Sequence, residues 1–172
     1  MTHQEVEERA AQVLRKTETY RAPIPMEALL NHLNLRTEAA PLGQNVSGML
    51  VAKDERGAIG YNSLHAIVRQ RFTIAHEIAH FVLHVKKNRR LQLFIDRDVI
   101  FRRDRTGSDR QEVQANRFAE ALLMPASLVS EEIRKHDLDL DDEDAFKFLA
   151  KRFQVGIAPL TNRLLHLGVL RQ

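Results

Sequence analysis

The chain has 172 residues, of which 44% are hydrophobic and 28% are charged, and its formal net charge is +3. This composition is typical of one or two small globular domains and excludes a disordered chain. Because the sequence contains no cysteine, disulfides and thiolate metal sites are excluded, and any metal must be held by His, Asp or Glu. No apolar run approaches the roughly 18 residues that cross a bilayer, and the polar, acidic first residues do not resemble a secretory signal, so we expect no membrane contact and a cytoplasmic protein.

The first half of the chain predicts two helices followed by a sheet. Apolar residues recur at helical spacing over residues 4–19, and Pro25 fits the first turn of a second, short helix. Between residues 35 and 61, one proline and four glycines separate short apolar runs, which predicts two or three antiparallel strands with tight turns. Ser63 is a candidate N-cap for the next helix, which we expect to end near Val85.

The second half predicts mostly helices. The expected elements are a strand or hairpin at 93–102, a loop over 102–110, and helices at about 109–123, 125–136, 142–153 and 159–167. The predicted fold class is therefore α+β with a small antiparallel sheet. We expect one domain over residues 1–136, and a helical segment over residues 137–172 that packs on it.

Charge is unevenly distributed along the chain. Residues 86–105 hold eight Lys or Arg against three Asp, whereas residues 137–144 hold six acids and no base. The simplest interpretation is two solvated faces. The net charge is too small for the whole chain to be a nucleic-acid binder.

The last two predicted helices have helix-turn-helix spacing over residues 149–167, with Lys151, Arg152 and Arg163 as candidates for outward-facing cations. DNA recognition is disfavoured because the second helix offers few polar side chains and the acidic block upstream would repel phosphate. We favour a packing element or a platform for a protein substrate.

The strongest chemical signal is the HExxH motif formed by His76, Glu77 and His80, in an apolar stretch without Gly or Pro. On a helix, the two histidines lie one turn and about 6 Å apart along the axis, so their imidazoles can converge on one divalent cation. Glu77 is rotated away from that line but can reach a water on the cation and act as general base. The alternative is a helix with two hydrogen-bonded histidines and a surface glutamate.

A catalytic metal site usually has a third protein ligand and an open position. His84 lies about 12 Å along the axis from the first histidine, so we expect it beside the site or in the core rather than on the cation. Glu112 begins a stripe with Ala115, Asn116 and Ala119, and the two alanines would let their helix approach the metal helix closely. From spacing alone, Glu112 is either the third ligand or a carboxylate that stabilises the helix N-terminus.

The strings RQRFTIAHEIAH and EVQANRFAEALLMP resemble the ImmA/IrrE family of metallo-endopeptidases, and the resemblance covers roughly residues 20–170. It implies a zincin-like fold in which His76, His80 and Glu112 are the ligands and Glu77 is the catalytic base. This ligand set suits Zn²⁺, while Mn²⁺ and Fe²⁺ are also compatible with it.

The same resemblance implies a metal-dependent endopeptidase that cuts a specific intracellular protein, a DNA-binding transcriptional repressor, in response to stress.

Tyr61 either directs its phenol at the oxyanion or is a strand residue with a hydrogen-bonded hydroxyl. Asn116 either binds a ligand imidazole or joins two helices.

The alternative function is a non-catalytic regulator or toxin–antitoxin component with a structural metal, which binds DNA or protein through its C-terminal helices. A fourth protein ligand, for which His65 and His84 are the candidates, would favour that alternative.

Overall fold

A computed structural model describes residues 1–43, 45–85, 90–97 and 108–170, with only the backbone at 97, 108 and 109. These residues form seven helices and one four-stranded sheet. The elements are α1 (His3–Lys16), α2 (Met26–His32), β1 (Leu35–Ala40), β2 (Val46–Lys53), β3 (Arg56–Asn62), α3 (Ile67–Leu83), β4 (Gln92–Arg97), α4 (Ser108–Leu123), α5 (Ala126–Lys135), α6 (Glu143–Phe153) and α7 (Ile157–His166). The predicted α+β class is confirmed.

The sheet is mixed rather than antiparallel, so that part of the prediction was wrong. Its order is β1-β3-β2-β4. The hairpin of β2 and β3 and the pair of β2 and β4 are antiparallel, but β1 pairs with β3 in parallel. The reason is the strand order: β1 and β2 run in opposite directions, but β3 lies between them and runs in the direction of β1. Leu35, the one buried residue of β1, faces Gly57 of β3 across this pair.

The helix that carries the HExxH motif starts later than predicted. Ser63 lies in a turn, and α3 begins at Ile67 after Ala66, without a side-chain cap. The turn is stabilised because the Asn62 Oδ1 accepts a hydrogen bond from the Leu64 amide at 3.1 Å, an Asx-type contact that competes with helix. From there α3 packs against β2, β3 and α4, and α1 packs against α4.

The C-terminal helices pack into the same apolar core, which includes Leu149 and Leu164. The prediction that Arg163 faces outward was wrong. Arg163 is 1% exposed, and it donates hydrogen bonds to the Met124 carbonyl and to both carboxylate oxygens of Glu7. It faces inward because α7 packs against α4. The predicted division at residue 136 stays a prediction.

Parts of three predicted features lie outside the described residues. They are 98–102 of the predicted strand or hairpin, 102–107 of the predicted loop, and 86–89 and 98–105 of the basic run. In the described part of the chain, every helix is too short or too polar to cross a bilayer.

Candidate metal centre

Three side chains from two helices converge at one point. His76 and His80 lie one turn apart on α3 and are each 2% exposed, and their Nε2 atoms are 3.0 Å apart. The carboxylate of Glu112, near the start of α4, completes the group: its Oε2 lies 3.2 Å from His76 Nε2, and its Oε1 lies 3.3 Å from His80 Nε2. The spacing therefore places two ligand candidates on one helix face, and the packing of α4 brings the third to them.

These distances fit a cation between the three side chains. A tetrahedral ion with ligand distances of about 2.0–2.1 Å separates its ligand atoms by about 3.3 Å, close to the spacings found here. Within the described residues, this trio is the one group of His, Asp or Glu that could hold a metal ion. His65 and His84, the predicted candidates for a fourth ligand, do not belong to it. Two imidazoles and one carboxylate form a donor set suited to a divalent cation and leave a coordination position for solvent or substrate.

The charges within the trio support each other. Burial by itself raises the pKa of Glu112, but hydrogen bonds from His76 and His80 outweigh it and hold that pKa well below its usual range. Burial likewise lowers the pKa of His76, but the hydrogen bond to Glu112 and the neighbouring carboxylates reverse the direction and raise it. A buried carboxylate that stays ionised between two imidazoles therefore attracts positive charge, which a proton or a metal ion can supply.

Glu77 is buried beside the trio with no polar partner. It is fully buried, and among the described residues neither of its oxygens has a hydrogen-bond partner. Burial raises its pKa to about 8, Asp96 and Glu112 add to the rise, and His76 opposes it. A carboxylate without partners is costly to bury, so Glu77 is poised for a group that the described residues do not provide.

Glu77 is accommodated because β2 has a glycine beneath it. A Cβ on Gly48 would lie 3.1 Å from Glu77 Oε1 and only 2.4 Å from Thr73 Cγ2. The absence of a side chain at this position therefore lets α3 lie close to the sheet. Gly48 was missed as a site residue by the sequence analysis, where the glycines of this region indicated only turns.

Side chains around the ligands contact the imidazole atoms that face away from the trio. The Asn116 Oδ1 lies 2.9 Å from His76 Nδ1, in one of the two arrangements considered for Asn116. His84 Nδ1 lies 3.0 Å from His80 Nδ1, and Phe94 of β4 stacks on the His80 ring with centroids 4.9 Å apart. Phe94 carried no signal in the sequence, because its contact depends on how β4 pairs with the sheet.

Tyr61 lies on β3 directly opposite Gly48 of β2. Because paired residues of neighbouring strands project to the same face of a sheet, Tyr61 projects to the face that α3 covers. It is half-buried. The structure thus brings Tyr61 to the side of the sheet that holds Glu77, and its role at the oxyanion stays a prediction.

Two arginines ahead of the motif contact other parts of the fold. Arg69 donates to the Ser47 hydroxyl at 3.2 Å, and Arg71 donates to the Ile24 carbonyl at 2.5 Å. Both contacts hold α3 to segments earlier in the chain.

The chain is similar to a known family of proteins. No curated protein matches the chain. The model of one peptidase family, described as the IrrE N-terminal-like domain, matches residues 30–165, a range that contains His76, Glu77, His80 and Glu112. The chain therefore belongs to this IrrE N-terminal-like peptidase family and has a metallopeptidase-like function.

Proposed function

We propose that this chain is a zinc-dependent endopeptidase that hydrolyses a peptide bond in a specific intracellular protein, a DNA-binding transcriptional repressor. Zn²⁺ is the proposed cofactor because two imidazoles and one carboxylate are a ligand set typical of catalytic zinc, and Mn²⁺ or Fe²⁺ would fit the same donor atoms. His76, His80 and Glu112 hold the ion in this proposal, and Glu77 acts as the base.

One observation carries the proposal: the unpartnered carboxylate of Glu77 lies beside a three-ligand cluster. A structural site closes its ion with four protein ligands, whereas the cluster here contains three among the described residues. A buried carboxylate next to the remaining position has the placement that a general base for hydrolysis requires.

In this proposal, the bound ion and Glu77 have different roles in hydrolysis. A bound divalent ion supplies Lewis acidity, which polarises the scissile carbonyl and makes water more acidic. Glu77 accepts the proton of the attacking water and then delivers it to the departing amine. Its carboxylate is suited to both transfers because α3 carries it beside the cluster and burial shields it from bulk water.

The sheet offers a place for the substrate chain. β4 is an edge strand, and its Phe94 contacts the ligand His80, so the strand runs beside the proposed centre. An extended peptide that pairs with an edge strand gains main-chain hydrogen bonds that depend little on its sequence. Selection of one protein substrate would then depend on contacts outside the cleft. That the substrate is a repressor is an extension of the family resemblance.

The experiment incubates the zinc-loaded protein with candidate repressors, with and without a chelator, and identifies fragments by mass spectrometry. We expect cleavage at a defined bond that the chelator abolishes. Glu77→Gln should bind zinc with near wild-type affinity and cleave nothing, while Glu131→Gln, an exposed glutamate on α5, should cleave normally.

Two outcomes would overturn the proposal. Cleavage by Glu77→Gln at the wild-type rate would remove Glu77 from the mechanism. A zinc-loaded structure with four protein ligands would make the ion structural and favour a non-catalytic regulator that binds through its C-terminal helices. Against DNA contact by those helices, Arg163 is buried and Arg152 donates to Glu132 and to the Ala22 carbonyl.

A further inference from the structure

A chain of hydrogen-bonding groups runs from the ligand His80 to Met1. His80 Nδ1 lies 3.0 Å from His84 Nδ1, and His84 Nε2 lies 3.2 Å from Gln114 Oε1. Gln114 Nε2 in turn donates to the Met1 carbonyl at 3.2 Å. This chain of groups joins α3, α4 and Met1, which precedes α1 by two residues, and it includes two side chains, His84 and Gln114, that do not belong to the metal cluster.

The Met1 carbonyl determines which group donates and which accepts in each of these hydrogen bonds. A backbone carbonyl only accepts, so Gln114 must turn its amide nitrogen toward Met1 and its oxygen toward His84. That oxygen also only accepts, so His84 carries its proton on Nε2 and presents a lone pair on Nδ1. A neutral His80 must then donate from Nδ1, which leaves its Nε2 with the lone pair that faces the cluster.

We propose that His84 and Gln114 are positioning residues: together with the Met1 carbonyl they fix the proton of His80 on Nδ1 and thereby keep Nε2 free for the cation. The inference rests on the proposed metal centre. Partners of this kind behind a ligand imidazole orient the ring and increase its basicity toward the metal. His76 has a shorter arrangement, in which one amide oxygen of Asn116 accepts from Nδ1.

The test compares two replacements of His84 that differ in one property. Asn places an acceptor oxygen at the position along the side chain where His carries Nδ1, whereas Leu has a similar branched shape and no acceptor. Zinc affinity is measured by competition with a chromophoric chelator. We expect His84→Leu to weaken zinc binding about 10- to 100-fold, and His84→Asn to bind close to wild type. Equal losses in both variants would indicate a packing role and overturn the proposal, as would wild-type affinity in His84→Leu.

A second pair keeps the test decisive if His84→Leu does not fold. Gln114→Lys replaces the acceptor by a donor and so reverses the demand on His84, which should weaken zinc binding. Val113→Lys, at the exposed neighbouring position, adds the same charge outside the chain of hydrogen bonds and should bind zinc nearly as wild type does. Equal affinities in the two variants would contradict the inference.

Nitrogen NMR of the zinc-loaded wild type gives a direct readout. We expect the proton of His80 on Nδ1 and that of His84 on Nε2, and any other pair of tautomers would overturn the proposal. Absence of zinc binding by the wild type would instead reject the metal centre itself, and the positioning role with it. Normal zinc binding with an unaffected His84→Leu would reject only the positioning role.

Discussion

Replacing Gly48 with alanine tests how closely α3 must approach the sheet. A Cβ at this position would lie 2.4 Å from Thr73 Cγ2 and 3.1 Å from Glu77 Oε1. Since ordinary contacts begin at 3.4 Å, the Thr73 methyl group would have to retreat by about 1 Å in a tightly packed region. Thr73 and Glu77 are both buried, so the displacement is transmitted to the helix that carries the proposed base.

The structure gives a magnitude for both stability and activity. Overpacking of this kind costs about 1–3 kcal/mol of unfolding free energy, which for a chain of this size lowers the melting temperature by roughly 2–12 °C. A misplacement of about 1 Å at a catalytic group can reduce the rate by about 100-fold. We therefore expect Gly48→Ala to unfold at a lower temperature than the wild type and to lose peptide hydrolysis.

The matched control is Gly60→Ala on the neighbouring strand. A Cβ there would meet only the Met49 side chain, at 3.1 Å from Cγ and 3.7 Å from Sδ, and a flexible methionine can adapt. Urea unfolding followed by circular dichroism measures both variants, and we expect Gly60→Ala to stay within about 0.5 kcal/mol of wild type. The reasoning is refuted if Gly48→Ala is as stable as Gly60→Ala and hydrolyses substrate at the wild-type rate.

Three further predictions concern the metal and the C-terminal helices. Glu112→Ala should abolish tight zinc binding in isothermal titration without unfolding the protein, and retained affinity would exclude the carboxylate as a ligand. Zinc at 100 times its dissociation constant should stabilise the fold by about 2.7 kcal/mol in urea titrations, and equal stability with a chelator would argue against binding by the native state. Arg163→Met should lower the free energy of unfolding by about 1–3 kcal/mol because the Met124 carbonyl loses its donor. Arg15→Met, which breaks an exposed ion pair with Glu8, should lower it by less than about 1 kcal/mol. Equal losses in the two variants would contradict the role of burial.

The parts of the site that lie within one helix were predictable from the sequence. Helix geometry alone places His76 and His80 on one face and carries His84 past the cation. The structure has this arrangement, with Nε2 of the first two facing Glu112 and His84 behind the second. These relations follow from the rise and rotation of a helix, so they hold whatever the rest of the chain does.

Relations between elements were harder to predict. The parallel pairing of β1 arises because β3 lies between β1 and β2 in the sheet, and this strand order leaves no periodic signal in the sequence. Gln114 was missed for the same reason: it lies only two residues after Glu112, and its relation to His84 exists only once α3 and α4 pack together. The ligand role of Glu112 was predicted from the family resemblance, because spacing alone left two roles open for it.

The trio depends as much on small side chains as on its ligands. Ala75 and Ala79 on α3 and Ala115 and Ala119 on α4 are all fully buried, on two helices that pack against each other. Small residues at a helix contact allow separations near the short end of the usual 8–10 Å range. Since the third ligand reaches the two histidines across this contact, an HExxH motif alone does not make the centre. The centre also requires α4 to pack beside α3, because Glu112 reaches the two histidines from α4.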